Sequence, residues 1–338
     1  MRQSRNIAAI AAAVVLVAAC GGGETAETST TGDATTTTVE QATTTTDEST
    51  TTTGTNGRVF TGADGVETPV GDTSRIVSLN GDITEIIFEL GLGENVVAVD
   101  VTTTHPAEAA AKNEAGETVG FAQQLTPEAV LRFEPTLVIG DTQVAPTETI
   151  DQLRQAGVAV VIIETQTTLE GVETKIDQIA EILGVPEEGD ALAERVMGEI
   201  DAATELAAAA ETTPRAAYIY LRGPQVIFLF GAGMPTQAMI EGAHAEDAGA
   251  ASGVFGPAPL TPEALVQAAP EVIILPEAGL EAMGGIEALE AVPGVSETPA
   301  AQSDTYLVYD EAYFFNLGPR TGQALMELVT DLHPDLAG

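Results

Sequence analysis

Short apolar, β-branched runs alternate with amphipathic stretches along most of the chain after residue 73. Such runs are typical of strands buried on both faces of a parallel sheet, and the stretches between them predict helices. In the first half we predict strands at 75–79, 95–101, 137–139 and 158–163, and helices at 83–90, 127–133 and 147–155. Asp82 or Thr84 is the expected N-cap of the first helix. This alternation predicts an α/β lobe over residues 73–168.

The pattern changes at residues 169–212, which predict helix nearly throughout, with a break at Gly184-Val185-Pro186. The second helical piece, 187–210, would be about 36 Å long at the helical rise, enough to join two lobes. An α/β pattern resumes over 213–338, with strands at 216–221, 226–230, 272–275 and 305–308 and helices at 236–242, 286–292 and 321–332. The sequence therefore predicts two related α/β lobes with parallel-type sheets, one long rigid helix between them, and a ligand cleft between the lobes.

One segment of the first lobe recurs in the second. Leu125-Thr-Pro-Glu-Ala-Val-Leu matches Leu260-Thr-Pro-Glu-Ala-Leu-Val at an offset of 135 residues (260 − 125). In each copy a threonine precedes a proline, which is the pattern of an N-cap followed by the first helical position. A second proline then stops the helix before a buried strand. We interpret the two lobes as related units with equivalent elements.

The first 72 residues follow a different pattern. Arg2 and Arg5 precede an apolar run over 7–19, which has the length of a signal-peptide core and is short for a membrane span. The run ends at Val17-Ala18-Ala19-Cys20, which resembles a bacterial lipobox. We predict a lipoprotein signal peptide over 1–20, lipidation of Cys20, and a protein anchored to the outer face of the cytoplasmic membrane. The alternative is a plain signal peptide with an incidental cysteine.

Residues 21–72 are rich in threonine, glycine and acidic side chains. Because this stretch holds few apolar side chains to bury, we predict a disordered stalk. Cys20 is the single cysteine of the chain, so no disulfide is expected.

Charge narrows the range of partners and activities. The chain has 51 acidic and 12 basic residues, a net charge of −39. A nucleic-acid partner is excluded, because binding phosphates needs lysine and arginine. No hydrolase motif stands out, and His105, His244 and His333 have no metal-ligand spacing, so we predict that the protein is not an enzyme.

Six motifs together resemble the helical-backbone class of ABC-importer substrate-binding proteins, which serve haem, cobalamin and ferric siderophores. They are Arg75-Ile-Val-Ser-Leu-Asn-Gly-Asp-Ile-Thr-Glu-Ile, Leu125-Thr-Pro-Glu-Ala-Val-Leu, Tyr220-Leu-Arg-Gly, Leu260-Thr-Pro-Glu-Ala-Leu-Val, Gly284-Gly-Ile and Leu317-Gly-Pro-Arg-Thr. The resemblance covers about residues 73–336 and is greatest to haemin-binding proteins. It implies a monomer that captures haem, as a transported ligand and not an intrinsic cofactor, and delivers it to a permease. A cobalamin or ferric-siderophore carrier is the alternative.

The resemblance implies that Tyr220 binds the haem iron axially as a phenolate and that Arg222 donates a hydrogen bond to it. Residues two apart on a strand share a face, so both can meet one ligand. An ordinary strand tyrosine is the alternative. Relatives often have Tyr or His where this chain has Phe121, which can stack on a porphyrin but cannot ligate iron. His105 is the first substitute ligand to consider, against a solvated loop histidine.

Three further positions follow from the same resemblance. Arg320, at the start of the last helix, is a candidate partner for a ligand carboxylate, or else forms a structural ion pair. Glu128 and Glu263 occupy equivalent places in the repeat and are expected to dock onto arginines of the permease. Their alternative role is stabilisation of the helix dipole.

Two methionines and one histidine are given structural roles instead. Met234 and Met239 are expected to pack, because methionine fills core gaps more often than it ligates. His244 follows a predicted helix and is expected at the surface.

Overall fold

The computed structural model describes residues 57–337 of the chain. The predicted signal peptide, Cys20 and most of the predicted stalk lie outside the described residues. Within them, two α/β groups follow one another with a pair of helices between. No helix among residues 57–337 combines the length and the apolar character needed to cross a membrane.

The elements are numbered in chain order. The first lobe contains the strands β1 (Arg58–Thr61), β2 (Glu67–Val70), β3 (Ile76–Ser78), β4 (Val96–Ala98), β5 (Leu137–Asp141) and β6 (Ala159–Ile163), and the helices α1 (Gly81–Glu89), α2 (Ala107–Glu114), α3 (Pro127–Leu131) and α4 (Thr147–Gln155). The connector consists of α5 (Gly171–Leu183) and α6 (Pro186–Ala207). The second lobe contains the strands β7 (Arg215–Leu221), β8 (Ile227–Phe230), β9 (Glu246–Asp247), β10 (Pro257–Pro259), β11 (Val272–Pro276) and β12 (Tyr306–Tyr309), and the helices α7 (Pro235–Gly242), α8 (Ala248–Ala251), α9 (Pro262–Ala268), α10 (Glu277–Met283), α11 (Ile286–Glu290), α12 (Pro299–Ser303), α13 (Glu311–Phe315) and α14 (Thr321–Leu332).

The first lobe is built on a parallel sheet in the order β4-β3-β5-β6. Every residue of β3 and β5 is buried, as expected for strands covered on both faces. The predicted strand at 95–101 is shorter in the structure, because a 3₁₀ turn at Gly93–Asn95 precedes it and a loop follows Ala98. The predicted α/β lobe is confirmed.

The chain before residue 73 corrects the predicted stalk, because β1 and β2 form an ordered antiparallel hairpin. Thr68 donates its hydroxyl to the Val160 carbonyl at 3.0 Å, and Arg58 donates to the Ile182 carbonyl at 3.2 Å. Val70 is fully buried, and Phe60 packs against the core. The stalk boundary at residue 72 is therefore wrong for residues 58–70, whose order comes from contacts with β6 and α5.

The start of α1 corrects the predicted cap. Asn80 occupies the N-cap position, two residues before Asp82. Its side chain donates to the Asp141 carboxylate at 3.2 Å instead of capping the helix. Thr84 donates its hydroxyl back to the Asn80 carbonyl at 2.9 Å, and Asp82 lies inside the first turn. The Asp82 carboxylate has a different partner, which is described below.

The second lobe has a mixed sheet in the order β10-β8-β7-β11-β12, with β9 pairing with β7. The strands β7, β11 and β12 are parallel, whereas β8 runs antiparallel to both β7 and β10. Only residues 222–226 separate β7 from β8, and a parallel crossover needs about a dozen residues or more. The prediction of parallel-type sheets is thus correct for the first lobe and only in part for the second.

The long connecting helix is α6, with 22 residues. Gly184 has φ +82°, a left-handed conformation that ends α5, and Pro186 then opens α6. The helix packs along α14, where a methyl group added to Gly322 would lie 2.8 Å from the Glu199 backbone. A glycine at this position lets the two helices approach closely.

The repeated segment forms the same local structure in both lobes. Thr126 accepts a hydrogen bond from the Ala129 amide at 3.3 Å, and Thr261 accepts one from the Ala264 amide at 3.1 Å. Each capped helix leads into a central buried strand, β5 or β11. The predicted caps are therefore present in both copies.

Several short elements are absent from the sequence prediction. All except α2 have seven residues or fewer, too few to show a clear hydrophobic period. Besides β1 and β2 of the hairpin, they are α2, α8, α10, α12, α13, β9 and β10.

A buried lysine connects the two lobes. Lys175, on α5, forms an ion pair with Asp82 on α1 and donates to the Leu317 carbonyl at 2.6 Å, in the loop before α14. The two charged side chains are 5% and 7% exposed. Removing one member of such a pair leaves the other charge buried without a partner.

We predict that Lys175→Met lowers the free energy of unfolding by about 3–5 kcal/mol, because the Asp82 carboxylate loses its counter-charge. Urea denaturation followed by circular dichroism measures this loss. The double variant Lys175→Met/Asp82→Asn should recover most of it, because no unpaired charge is then buried. Equal instability of the single and double variants would show that the charge pair is not the cause.

Candidate ligand site between the lobes

Tyr220 and Arg222 lie where β7 ends, at the edge of the second lobe. Arg222 donates through Nε to the Tyr220 phenol oxygen at 2.6 Å. The guanidinium carbon lies 5.6 Å from the centre of the tyrosine ring. The guanidinium thus places a positive charge beside the phenol oxygen. The structure thus brings together the two residues that the sequence places on one strand face.

Aromatic side chains surround the Tyr220 ring. The ring stacks on Phe230 with centroids 5.3 Å apart and planes 12° apart. Phe228 lies directly opposite Tyr220 in the antiparallel pair of β7 and β8 and is half-buried. Phe230 also contacts Phe315, with centroids 5.9 Å apart. An apolar wall therefore lies beside the phenol, and it suits the face of a flat, hydrophobic ligand.

The sequence analysis missed a third polar member of the site. Glu311 accepts from the Nη2 atom of Arg222 at 2.8 Å through its Oε1 atom. The side chain of Arg222 is 44% exposed and that of Glu311 is 25% exposed. Burial raises the pKa of Glu311, and the opposing effect of the Arg222 charge does not cancel that rise. Glu311 is the first residue of α13 and follows the parallel strand β12 closely in the sequence. Ligand-site residues are common at such positions.

The edge of the first lobe carries His105 and Phe121. The buried Asp100 carboxylate accepts from the Thr102 amide and from the Ala122 amide, each at 2.7 Å. Asp100 thereby holds the loop that contains His105 against the segment that contains Phe121, and burial raises its pKa. Phe121 is 47% exposed, whereas His105 is half-buried.

Arg320 forms the structural ion pair that the sequence left as an alternative. Its Nε and Nη2 atoms donate to the two carboxylate oxygens of Glu85 at 2.9 and 3.1 Å. Glu85 belongs to α1 of the first lobe, so this bidentate pair is a second polar link between the lobes. The Arg320 guanidinium carbon also lies 5.1 Å from the centre of the Tyr313 ring. A ligand carboxylate would therefore have to compete with Glu85 for Arg320.

Every lysine and arginine of residues 57–337 donates to, or forms an ion pair with, a carboxylate or carbonyl of the protein. They are Arg58, Arg75, Lys112, Arg132, Arg154, Lys175, Arg195, Arg215, Arg222 and Arg320. Of these, Arg222 is the cation bonded to Tyr220. An anionic ligand that reaches this phenol therefore meets a guanidinium already shared with Glu311.

The remaining candidates are either exposed or packed against the core. Glu128 and Glu263 are exposed in the first turns of α3 and α9, at matching positions of the repeat. His244 is exposed and Met239 is buried, as the sequence predicts. Met234 is partly buried and packs against the core.

Two surface depressions, with volumes of about 620 and 400 Å³, flank the hairpin of the first lobe. They are lined by residues of the hairpin, β6 and their neighbours, and none of the predicted ligand residues contributes to them. They are therefore separate from the site at Tyr220.

Comparison with known proteins identifies the family. The family model for periplasmic binding proteins matches residues 76–313. The chain belongs to the periplasmic binding protein family. The uncharacterised ABC transporter substrate-binding lipoprotein YvrC of Bacillus subtilis is 26% identical over 267 residues, which are 78% of this chain and 81% of that protein. The vitamin B12-binding protein of Vibrio campbellii is 29% identical over 168 residues, which are 49% of this chain and 58% of that protein.

Solved structures of this family superpose well on the chain. The periplasmic haem-binding protein RhuT from Roseiflexus sp. RS-1, in its apo form, is 40% identical with a TM-score of 0.75; the match covers 79% of this chain and all of RhuT. The haem-binding protein HmuT is 34% identical with a TM-score of 0.76, covering 82% of this chain and 90% of HmuT. BhuT, solved with two haems, is 31% identical with a TM-score of 0.71, covering 78% of this chain and 98% of BhuT. The resemblance stated from the sequence motifs is confirmed.

Proposed function

We propose that the protein captures haem outside the cytoplasm and delivers it to an ABC importer. The observation that carries the proposal is the hydrogen bond from Arg222 to the Tyr220 phenol at the end of β7. The structural neighbours RhuT, BhuT and HmuT, each named as a haem-binding protein, support the same ligand. Haem is in this case the transported cargo and not a resident cofactor.

The chemistry of the site suits a ferric porphyrin. Ferric iron favours a hard, anionic oxygen ligand, and tyrosinate is an established axial ligand of haem iron. Arg222 donates to the phenol oxygen of Tyr220 and places a positive charge beside it. Phe228 and Phe315 offer apolar contact beside the ring. The residues present therefore fit an iron porphyrin bound through Tyr220.

Three HmuT variant structures support the assignment of both lobes. In them a tyrosine, an arginine and a histidine are each replaced by alanine. That tyrosine and arginine are two residues apart, as are Tyr220 and Arg222. The separation between the histidine and the tyrosine equals that between Phe121 and Tyr220. We infer that Phe121 occupies the first-lobe position of that histidine and contacts the porphyrin, with Tyr220 as the protein's iron ligand.

We also propose a membrane attachment and a partner, by analogy with the family. Lipidation of Cys20 would hold the protein at the outer face of the membrane, and the relative YvrC is named as a lipoprotein. Glu128 and Glu263 present one exposed carboxylate on each lobe for the permease. The monomeric state also remains a proposal.

We predict that Tyr220→Phe abolishes the tyrosinate charge-transfer band of the ferric haemin complex and weakens haemin binding by at least about tenfold, because the iron loses its anionic ligand. Absorption spectroscopy during a haemin titration measures both effects. Tyr306→Phe is the matched control: Tyr306 bonds to Glu290 at the other end of the parallel strands and should leave the band unchanged. Saturable binding of cobalamin without binding of haemin would overturn the haem assignment and favour the cobalamin alternative.

We predict that Phe121→His converts the haemin complex from a five-coordinate high-spin spectrum to a six-coordinate low-spin spectrum, because an imidazole then faces the iron from the first lobe. Electron paramagnetic resonance distinguishes the two spin states. His105→Ala is the control and should leave the wild-type spectrum unchanged. A six-coordinate wild-type spectrum that becomes five-coordinate in His105→Ala would instead assign the sixth ligand to His105.

We predict that Glu128→Ala combined with Glu263→Ala leaves haemin affinity unchanged and reduces haemin uptake by cells that carry the cognate importer. The matched control is Glu148→Ala with Glu277→Ala, since these are also exposed glutamates in first turns, one in each lobe. The control keeps uptake if docking is specific. Equal uptake defects in both double variants would assign the effect to loss of helix-dipole stabilisation.

A further inference from the structure

The two faces of the second-lobe sheet carry different side chains, because successive residues of a strand point to opposite sides. One face of β7 and β8 is aliphatic, and its residues pack in a core cluster of their own: Ala217, Ile219, Leu221, Ile227 and Leu229. The other face is aromatic and carries Tyr218, Tyr220, Phe228 and Phe230. The phenol of the candidate site therefore belongs to a continuous aromatic face.

The register of the strands arranges the aromatic face in rows. Tyr220 lies opposite Phe228, and Phe228 lies opposite Pro259 of the edge strand β10. Directly opposed residues of an antiparallel pair point to the same face of the sheet. These three side chains therefore form one row across three strands, which we call the outer row. At the usual spacing between strands, the outer row is about 10 Å long.

The neighbouring row, at Tyr218 and Phe230, is covered by α13. Phe314 stacks on the Tyr218 ring with centroids 5.7 Å apart and planes 2° apart, and Phe315 contacts Phe230. Phe230 is accordingly only 6% exposed. In the outer row, by contrast, Tyr220 and Phe228 are half-buried and Pro259 is exposed. The outer row is thus an accessible apolar surface that begins at the phenol and runs to the edge of the sheet.

The outer row carries no titratable side chain apart from Tyr220 itself. Arg222, two residues after Tyr220, is already bonded to Glu311. The other lysines and arginines of residues 57–337 also have partners within the protein. Apolar contact is then the main attraction that this face offers to a flat ligand. Such contact depends on the apolar area of the ligand and not on a metal ion at its centre.

We propose that the outer row recognises the tetrapyrrole macrocycle itself, so that the protein also binds porphyrins that contain no metal. The bond from Tyr220 to iron then adds to a contact that the macrocycle already makes. The inference rests on the proposed haem-binding function and widens its ligand class from iron porphyrins to flat tetrapyrroles with or without a metal. It also makes β10 a part of the ligand site.

The test measures the binding of metal-free protoporphyrin IX by its fluorescence and the binding of ferric haemin by absorbance. The wild type should bind both saturably, and haemin should displace the metal-free porphyrin. Phe228→Ser should weaken the binding of both ligands by about tenfold, and Pro259→Ser by about threefold, because each removes apolar contact with the macrocycle. Tyr220→Phe should weaken haemin binding more than porphyrin binding, because only haemin loses a bond to its metal.

Phe255→Ser is the matched control for these variants. Phe255 is 83% exposed, but it pairs with Ala232, four residues beyond Phe228, and so lies outside the outer row. Its loss should leave both affinities unchanged. Equal losses of affinity in Phe255→Ser and Phe228→Ser would overturn the inference, since they would show general adsorption on exposed aromatic side chains.

Saturable binding of haemin without binding of the metal-free porphyrin would overturn the inference and leave the proposed function intact. Porphyrin binding that is unchanged in both Phe228→Ser and Pro259→Ser would place the macrocycle elsewhere and would also overturn it. If neither ligand binds, the proposed function fails together with the inference. Thermal unfolding of each variant checks that the fold is retained, and Pro259→Ser, at an exposed position, keeps the test valid if Phe228→Ser is unstable.

Discussion

The relation between the two lobes depends on a lysine ammonium that is buried where they meet. Lys175 comes from the connector, its counter-ion Asp82 from the first lobe, and its carbonyl partner Leu317 from the second. The bidentate pair of Glu85 and Arg320 repeats this arrangement one helical turn farther along α1. Loss of one member of a buried pair leaves the other charge without a partner. These contacts therefore fix the relative position of the elements that carry the ligand-site residues.

The elements that the sequence predicts well are those that depend on residues close to one another in the sequence. The buried strands follow from runs of β-branched residues, and the caps at Thr126 and Thr261 follow from a threonine-proline pair. The hairpin at residues 58–70 could not be predicted in this way, since its contacts are with Val160 and Ile182, about one hundred residues away. The prediction of Asp82 as the N-cap is wrong for the same reason, because the ion-pair partner of Asp82 is distant in sequence.

The residues of the candidate site differ in the same way in how well the sequence predicts them. Tyr220 and Arg222 lie on one strand, so their pairing follows from the strand period. Glu311 belongs to another strand-helix junction, and only the sheet order brings it to Arg222. Sequence offered two roles for Arg320, and the geometry favours the pair with Glu85. The proposal of a porphyrin ligand rests on the haem-binding structural neighbours, because a phenol beside a guanidinium does not by itself specify a porphyrin.

Every lysine and arginine in the described residues already has a partner within the protein, and this affects how fast an anionic ligand reaches the site. A protein with a net charge of −39 repels anions at long range, and no cationic funnel in its described body reverses that field. Capture of an anionic ligand, such as the proposed iron porphyrin, would then rely on diffusion to the cleft followed by short-range contact, and its association rate would rise with ionic strength as the repulsion is screened. Salt would thus speed loading, the opposite of the behaviour of binding proteins that steer their ligands electrostatically.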